Sequence, residues 1–197
     1  MNPYLSFAIA MCAVVIIALA GTAYLSVYFN RRAKGDMERA LQPLAEVVGG
    51  DIDVEEGEVS GRYDGQLAEG RVATMPGGMS RIFLISIVEG AGGRPWVWTL
   101  TRSRELGGPD VARFDEEIGG VTDMIEPILL PLQDDPDLKG IWCRVEYDPA
   151  SGTLKMTRPM RVRRDIPPAD AFRRHLDVLV AAAAANRAAQ GPAAAHA

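Results

Sequence analysis

The chain has 197 residues, with 21 Lys+Arg against 26 Asp+Glu for a formal charge of −5. An acidic balance speaks against a general nucleic-acid binder, and two Cys and two His leave little for a structural zinc site or a disulfide framework. Mean hydropathy is close to zero because a membrane-grade segment is averaged with an ordinary soluble one.

Residues 1–4 form a short N-terminus. Leu5 to Phe29 is a run of 25 residues without a formal charge. At about 1.5 Å rise per residue a helix over it spans roughly 37 Å, enough to cross a bilayer with some tilt. Tyr4, Tyr24 and Tyr28 lie near its ends, where amphipathic rings favour the headgroup level. A cleaved signal peptide is the rival reading, and Ala18-Leu19-Ala20 has the small residues of a cleavage site. That rival lacks a basic n-region in Met1–Tyr4 and has too long an apolar core. Arg31, Arg32 and Lys34 follow the span, so the positive-inside rule puts the C-terminal side in the cytoplasm and the N-terminus outside. Cys12 in the span and Cys143 in the soluble part are unable to pair in one chain, which suits a reducing compartment. Ser6, Ala10, Ala18, Thr22 and Ser26 share one helix face. That stripe is either a close-packing partner face or a by-product of abundant Ala.

Residues 30–50 read as a juxtamembrane helix. Met37, Leu41, Leu44, Ala45 and Val48 recur at helical spacing, Pro43 is expected to kink it or open a second helix, and Gly49-Gly50 ends it. A soluble domain over 51–190 follows. Val54–Tyr63 and Gln66–Thr74 flank Asp64-Gly65, a pair favoured in type I′ hairpin turns. Ile82–Val88 is almost continuously apolar, as in a buried strand. Beyond Ala91-Gly92-Gly93, Trp96–Thr101 alternates with period two. Together these segments predict an antiparallel meander. Glu105 to Asp137 holds ten acidic residues and one basic one, Arg113. Within it Val121–Leu132 reads as a short helix shaped by Pro127 and Pro131. Ile141–Tyr147 and Thr153–Thr157 predict a second hairpin around Asp148–Gly152. Pro167-Pro168 opens a last helix with Phe172, Leu176, Leu179, Val180 and Ala183 on its buried face. Residues 191–197 read as a disordered tail. The expected class is α+β: an N-terminal transmembrane helix, then a mainly antiparallel sheet of about six strands packed by two or three helices.

No catalytic constellation emerges. His175 sits in a helix beside Arg174, with Asp177 on another face, and reads as a surface or half-buried residue; His196 is in the tail. Gly90-Ala91-Gly92-Gly93 follows a strand but leads into another strand rather than a helix N-terminus, so a hairpin loop is expected rather than a phosphate cradle. Asp134, Asp135 and Asp137 lack the spacing of a calcium loop. Asp115, Glu116, Glu117, Asp123 and Glu126 are candidates for paired-carboxylate work, but no spacing selects a pair. No catalytic, cofactor or metal residue is therefore assigned.

One basic cluster stands out: Arg158, Arg161, Arg163 and Arg164, with Lys155 before it and Arg173-Arg174 after. Three uses compete for it. The first is binding to the domain's own acidic segment, the second is facing an anionic inner leaflet together with Arg31, Arg32 and Lys34, and the third is docking an acidic partner. Eighteen of the 21 basic residues are Arg and Ala is abundant, as in high-GC bacterial genomes. With Gly57–Gly65 and Phe172–Val180, the layout resembles high-GC bacterial single-pass membrane protein families with a small soluble α+β domain. That resemblance implies no activity. The expected role is a non-enzymatic binding or assembly module at the bilayer, with possible self-association through the membrane helix. The alternative is a membrane-tethered enzyme with a carboxylate/Arg site in a cleft.

Overall fold

A computed structural model describes residues 3–75, 78, 80–90, 92–102, 110–115, 118–160 and 165–190. The chain divides into two units, residues 1–39 and 40–197.

The first unit is helical throughout its described length. Helix α1, Pro3–Val48, begins here. Its apolar part presents Val14, Ile16, Ile17, Leu19, Leu25 and Phe29 outward, with Ile17 71% exposed. It is one helix long and apolar enough to cross a membrane, with none of its most apolar stretch buried. The helix runs on through Pro43 without a second start, so of the two outcomes expected at Pro43 a second helix does not open there. Pro43 falls within the last two turns, and Leu41, Leu44 and Val48 around it are fully buried.

The second unit is an eight-stranded antiparallel sheet with two further helices. The strands are β1 Asp51–Asp53, β2 Glu58–Tyr63, β3 Gln66–Thr74, β4 Arg81–Val88, β5 Trp96–Thr101, β6 Val111–Phe114, β7 Cys143–Asp148 and β8 Thr153–Met160. Their order is β1-β2-β3-β4-β8-β7-β5-β6. The predicted hairpin at Asp64-Gly65 is present: both residues have positive φ, 48° and 78°, as a type I′ turn requires.

The sequence pattern anticipates about six strands; the two additional ones, β1 and β6, are short edge strands. The simple meander ends at β4. The β7–β8 hairpin is inserted between β4 and β5, with β8 pairing β4 along its whole length. The connection from β4 to β5 therefore crosses the end of that hairpin instead of forming a turn of its own. The N–H groups of Glu89 and Gly90 donate to Gly152 O, and that of Gly92 to Pro149 O. Tyr147 Oη shares its proton between the carbonyls of Gly90 and Gly92, at 2.9 and 2.6 Å. The glycine-rich loop is a brace over a neighbouring hairpin, and these amides are already spent.

One face of the sheet carries the core: Phe83, Ile85 and Ile87 of β4, Leu154 and Met156 of β8, Val145 of β7, and Trp98 and Leu100 of β5, all fully buried. The opposite face carries Glu69, Arg71, Arg144 and Lys155, the alternation expected of a sheet wetted on one side. Helix α2, Val121–Leu129, turns into two 3-10 segments, Leu130–Asp134 and Pro136–Leu138. Each begins at or beside a proline, which breaks the α-helical ladder. Helix α3, Ala169–Gln190, packs beside α2 and crosses β4 and β8. Its Phe172 meets Phe83 edge to face, with ring centroids 6.3 Å apart. Gly70 makes room for this pair, because a Cβ there would stand 3.0–3.2 Å from the two rings.

Candidate functional site

Because α3 packs along β4 and β8, it carries polar side chains to both ends of those strands, and a groove lies along its outer side between them.

The first cluster gathers at the end where β8 finishes and β7 begins. Asp135 stands between the two 3-10 segments and caps the second, accepting from Asp137 N–H at 2.8 Å. Two consecutive residues of α3 reach it. Arg174 Nη2 lies 3.4 Å from Asp135 Oδ1 and 2.5 Å from Asp137 Oδ2. His175 is fully buried, with Nε2 3.2 Å from Asp135 Oδ2, although among the described residues neither ring nitrogen has an aligned hydrogen bond. Burial works against ionising Asp135. The His175 ring, the Asp137 N–H and the Arg174 guanidinium outweigh it and hold the carboxyl well below the usual carboxylate range.

Arg158 lies on the core face of β8 and is only 5% exposed. Among the described residues its Nε and Nη1 have no hydrogen-bond partner. Burial lowers its pKa, while the negative charges of Asp137, Asp165 and Asp135 oppose that shift. Arg102, at the end of β5, donates to the carbonyls of Leu138 and Ile141 and pairs with Asp110. It ties the sheet to the turn that carries Asp135. Cys143 is buried and its thiol is pushed up to about 12 by desolvation, so at neutral pH it is no nucleophile.

The second cluster closes the other end. Trp96 Nε1 donates to Asn186 Oδ1 at 2.9 Å, and Asn186 Nδ2 donates to Glu89 Oε1 at 3.0 Å. Gln190 adds a bond to Asn186 and another to the Arg94 carbonyl. Burial raises the Glu89 pKa, and the Asn186 contact opposes the rise.

The groove lies between the β2–β3 turn and α3. It has a volume of about 440 Å³ and is lined by Tyr63, Asp64, Asp177, Val180, Ala181 and Ala184. Tyr63 Oη donates to Asp177 Oδ1 at 2.5 Å. Desolvation, then the bond to Asp177, push the Tyr63 phenol up to about 12.

Several sequence candidates are thereby placed. His175 is a core residue, contrary to the surface or half-buried reading, because its partner is Asp135 rather than the nearby Asp177. Of the acidic residues, Asp135 and Asp137 are brought together, by Arg174. Asp115 and Asp123 are exposed and apart from that cluster, Glu126 is half-buried, and Glu116 and Glu117 lie outside the described residues. Among the described residues no three His, Cys, Asp or Glu side chains converge as metal ligands. Arg158 is turned into the core, whereas Arg31, Arg32 and Lys34 are exposed on α1. Arg161, Arg163, Arg164, His196 and the tail 191–197 lie outside the described residues. Sequence reasoning missed the groove. Its one sequence signal was alanine at 181 and 184, outward positions of α3 where longer polar side chains are usual.

No family model, no curated protein and no solved structure matches the chain.

Proposed function

We propose that the chain is a single-pass membrane protein of bacterial type whose α+β domain acts, on the cytoplasmic side, as a non-enzymatic binding or assembly module at the bilayer surface. One observation carries the reading. Some two dozen consecutive uncharged residues form a helix whose large apolar side chains face outward, and only lipid or a partner relieves that exposure. The Arg31, Arg32 and Lys34 flank supports the cytoplasmic side and adds attraction to anionic lipid, about 1 kcal/mol per charge near the surface. In the domain, the polar groups gathered along α3 are mostly spent on one another, which suits a scaffold better than a reaction centre. Fusions of a periplasm-dependent reporter and a cytoplasm-dependent reporter to the C-terminus test the orientation. Signal from the cytoplasmic reporter alone is expected, and signal from the periplasmic one reverses it.

The tethered-enzyme reading keeps one observation in its favour. Asp135, Asp137 and Arg174 form a carboxylate/Arg constellation beside buried Arg158. Turnover of a defined substrate, abolished by Arg158→Met in a protein that still folds, would replace the binding-module reading.

A further inference from the structure

Helix α2 carries apolar residues on two sides. Val121, Ile125 and Leu129 are buried in the core. On the other side Met124, Pro127, Leu130 and Pro131 follow one another at steps of three and four residues, so they adjoin. Met124 and Leu130 are 44% and 41% exposed, and both prolines are exposed. A surface helix normally gives that side to polar residues. The prolines add a second property. Neither has an N–H to return to the carbonyl one turn earlier, so the carbonyls of Asp123 and Pro127 lose their α-helical donors on this same side. Charge adds a third. Residues 114–138 contain no Lys or Arg. Asp123 and Asp134 are exposed and Glu126 is half-buried, and among the described residues none of the three enters an ion pair. The α3 guanidinium that reaches this segment, Arg174, is engaged by Asp135 and Asp137. Arg113 lies on the opposite face of the sheet, in register with Thr99 rather than with buried Trp98. Lys139, beyond the second 3-10 segment, is one cation against three carboxylates.

We propose that this outward face of α2 docks an amphipathic segment of a partner polypeptide in which apolar side chains alternate with Arg or Lys. Its apolar side chains cover Met124, Leu130 and the two proline rings. Its cations meet Asp123 and Glu126 and donate to the two open carbonyls. An anionic bilayer surface has the wrong sign for this face, and a second copy would set acid against acid. The assignment rests on the binding-module reading and names the partner chemistry for it.

The test uses the full chain in nanodiscs of zwitterionic lipid, labelled with ¹³C at methionine methyls, with the Met124 signal assigned by its loss in Met124→Leu. The probe is acetyl-Arg-Ala-Leu-Arg-Ala-Leu-Arg-amide. One control peptide carries Glu in place of Arg, the other Ser in place of Leu. The Arg/Leu peptide is expected to shift the Met124 methyl saturably, less so at high salt, and to leave the methyl of buried Met156 in place. The Glu peptide should have no effect, and the Ser peptide should bind at least about tenfold more weakly. Asp123→Asn with Glu126→Gln should weaken binding by about threefold or more, and Leu130→Gln by about tenfold. Pro127→Ala returns an N–H to the Asp123 carbonyl, so it should weaken binding in a domain at least as stable to urea. An unshifted Met156 methyl shows that each variant folds. The inference is overturned by the absence of a saturable Met124 shift up to about 1 mM peptide, by an equal response to the Glu peptide, by unchanged affinity in the Asn/Gln variant, or by a Met124 shift that follows protein concentration without peptide, which would assign the face to a second copy. None of these outcomes bears on membrane retention or orientation, so the two readings fail separately.

Discussion

The two units use apolar residues in opposite ways. In the second unit, Phe83, Trp98, Phe172 and Leu176 are turned inward and sealed from water. In the first, Val14, Ile16, Ile17 and Leu19 are similar in kind and face outward. What separates them is spacing. The domain alternates apolar with polar positions at period two or 3.6 and so gains one dry face. The N-terminal helix is apolar all round, so its dry environment has to come from outside the chain. On the proposed anchored reading, one term, removal of apolar area from water, both folds the domain and positions the helix.

Substitutions that separate those two uses test it. The largest effect is expected from Ile16→Arg combined with Ile17→Arg, which costs insertion roughly 5–7 kcal/mol at about 2.5–3.5 per charge near a bilayer centre. The protein should move to the soluble or aggregated fraction. The urea midpoint of its domain should hold, because neither residue belongs to the core. Phe172→Ala is the reverse experiment. Losing the ring against Phe83 and Gly70 should destabilise the domain by about 3–5 kcal/mol in denaturant titration, with membrane retention intact. If Phe172→Ala released the protein from membranes, the division between the units would be wrong.

Two smaller effects concern side chains that meet α3. Asp135 ionises in the folded state well below the usual range, whereas unfolded Asp titrates near about 3.9. Its contribution is therefore fully present above that value and is lost as pH falls through the folded-state pKa. Asp135→Asn should lower stability at neutral pH and flatten the acid limb of the stability curve. An unchanged acid limb would assign that limb to other carboxylates. Tyr63 behaves oppositely, because its pKa is raised from about 10 to about 12. The stability it adds is present below pH 10 and lost between about 10 and 12. Tyr63→Phe should remove that alkaline loss and cost about 1 kcal/mol at neutral pH, read from the same titrations.

The central elements were legible because each depends on its own neighbours. The Asp64-Gly65 turn, the apolar run of β4, the alternation of Trp96–Thr101 and the amphipathic start of α3 are all local patterns. β1 and β6 were not legible. Asp51-Ile52-Asp53 is too short and too acidic to announce a strand, and Val111–Phe114 is hidden in an acidic stretch; both strands exist because a neighbour offers an edge. The insertion of β7–β8 between β4 and β5 depends on long-range pairing that a loop sequence does not encode. The polar clusters were hidden for the same reason. Asp135 meets Arg174 and His175 across about forty residues, and Trp96 meets Asn186 across ninety. No local motif reports such a pair, and Asp177, two residues from His175 and on another face of the helix, serves Tyr63 instead.

The most direct measurement is alkaline carbonate extraction of native membranes from cells expressing the full chain, followed by immunodetection beside the Ile16→Arg/Ile17→Arg variant. The unaltered chain should stay in the membrane pellet at its full length, with the variant lost from the membranes to the supernatant or to a detergent-insoluble aggregate. Release of the unaltered chain, or recovery of a soluble product shortened by the apolar segment, would contradict the anchored account.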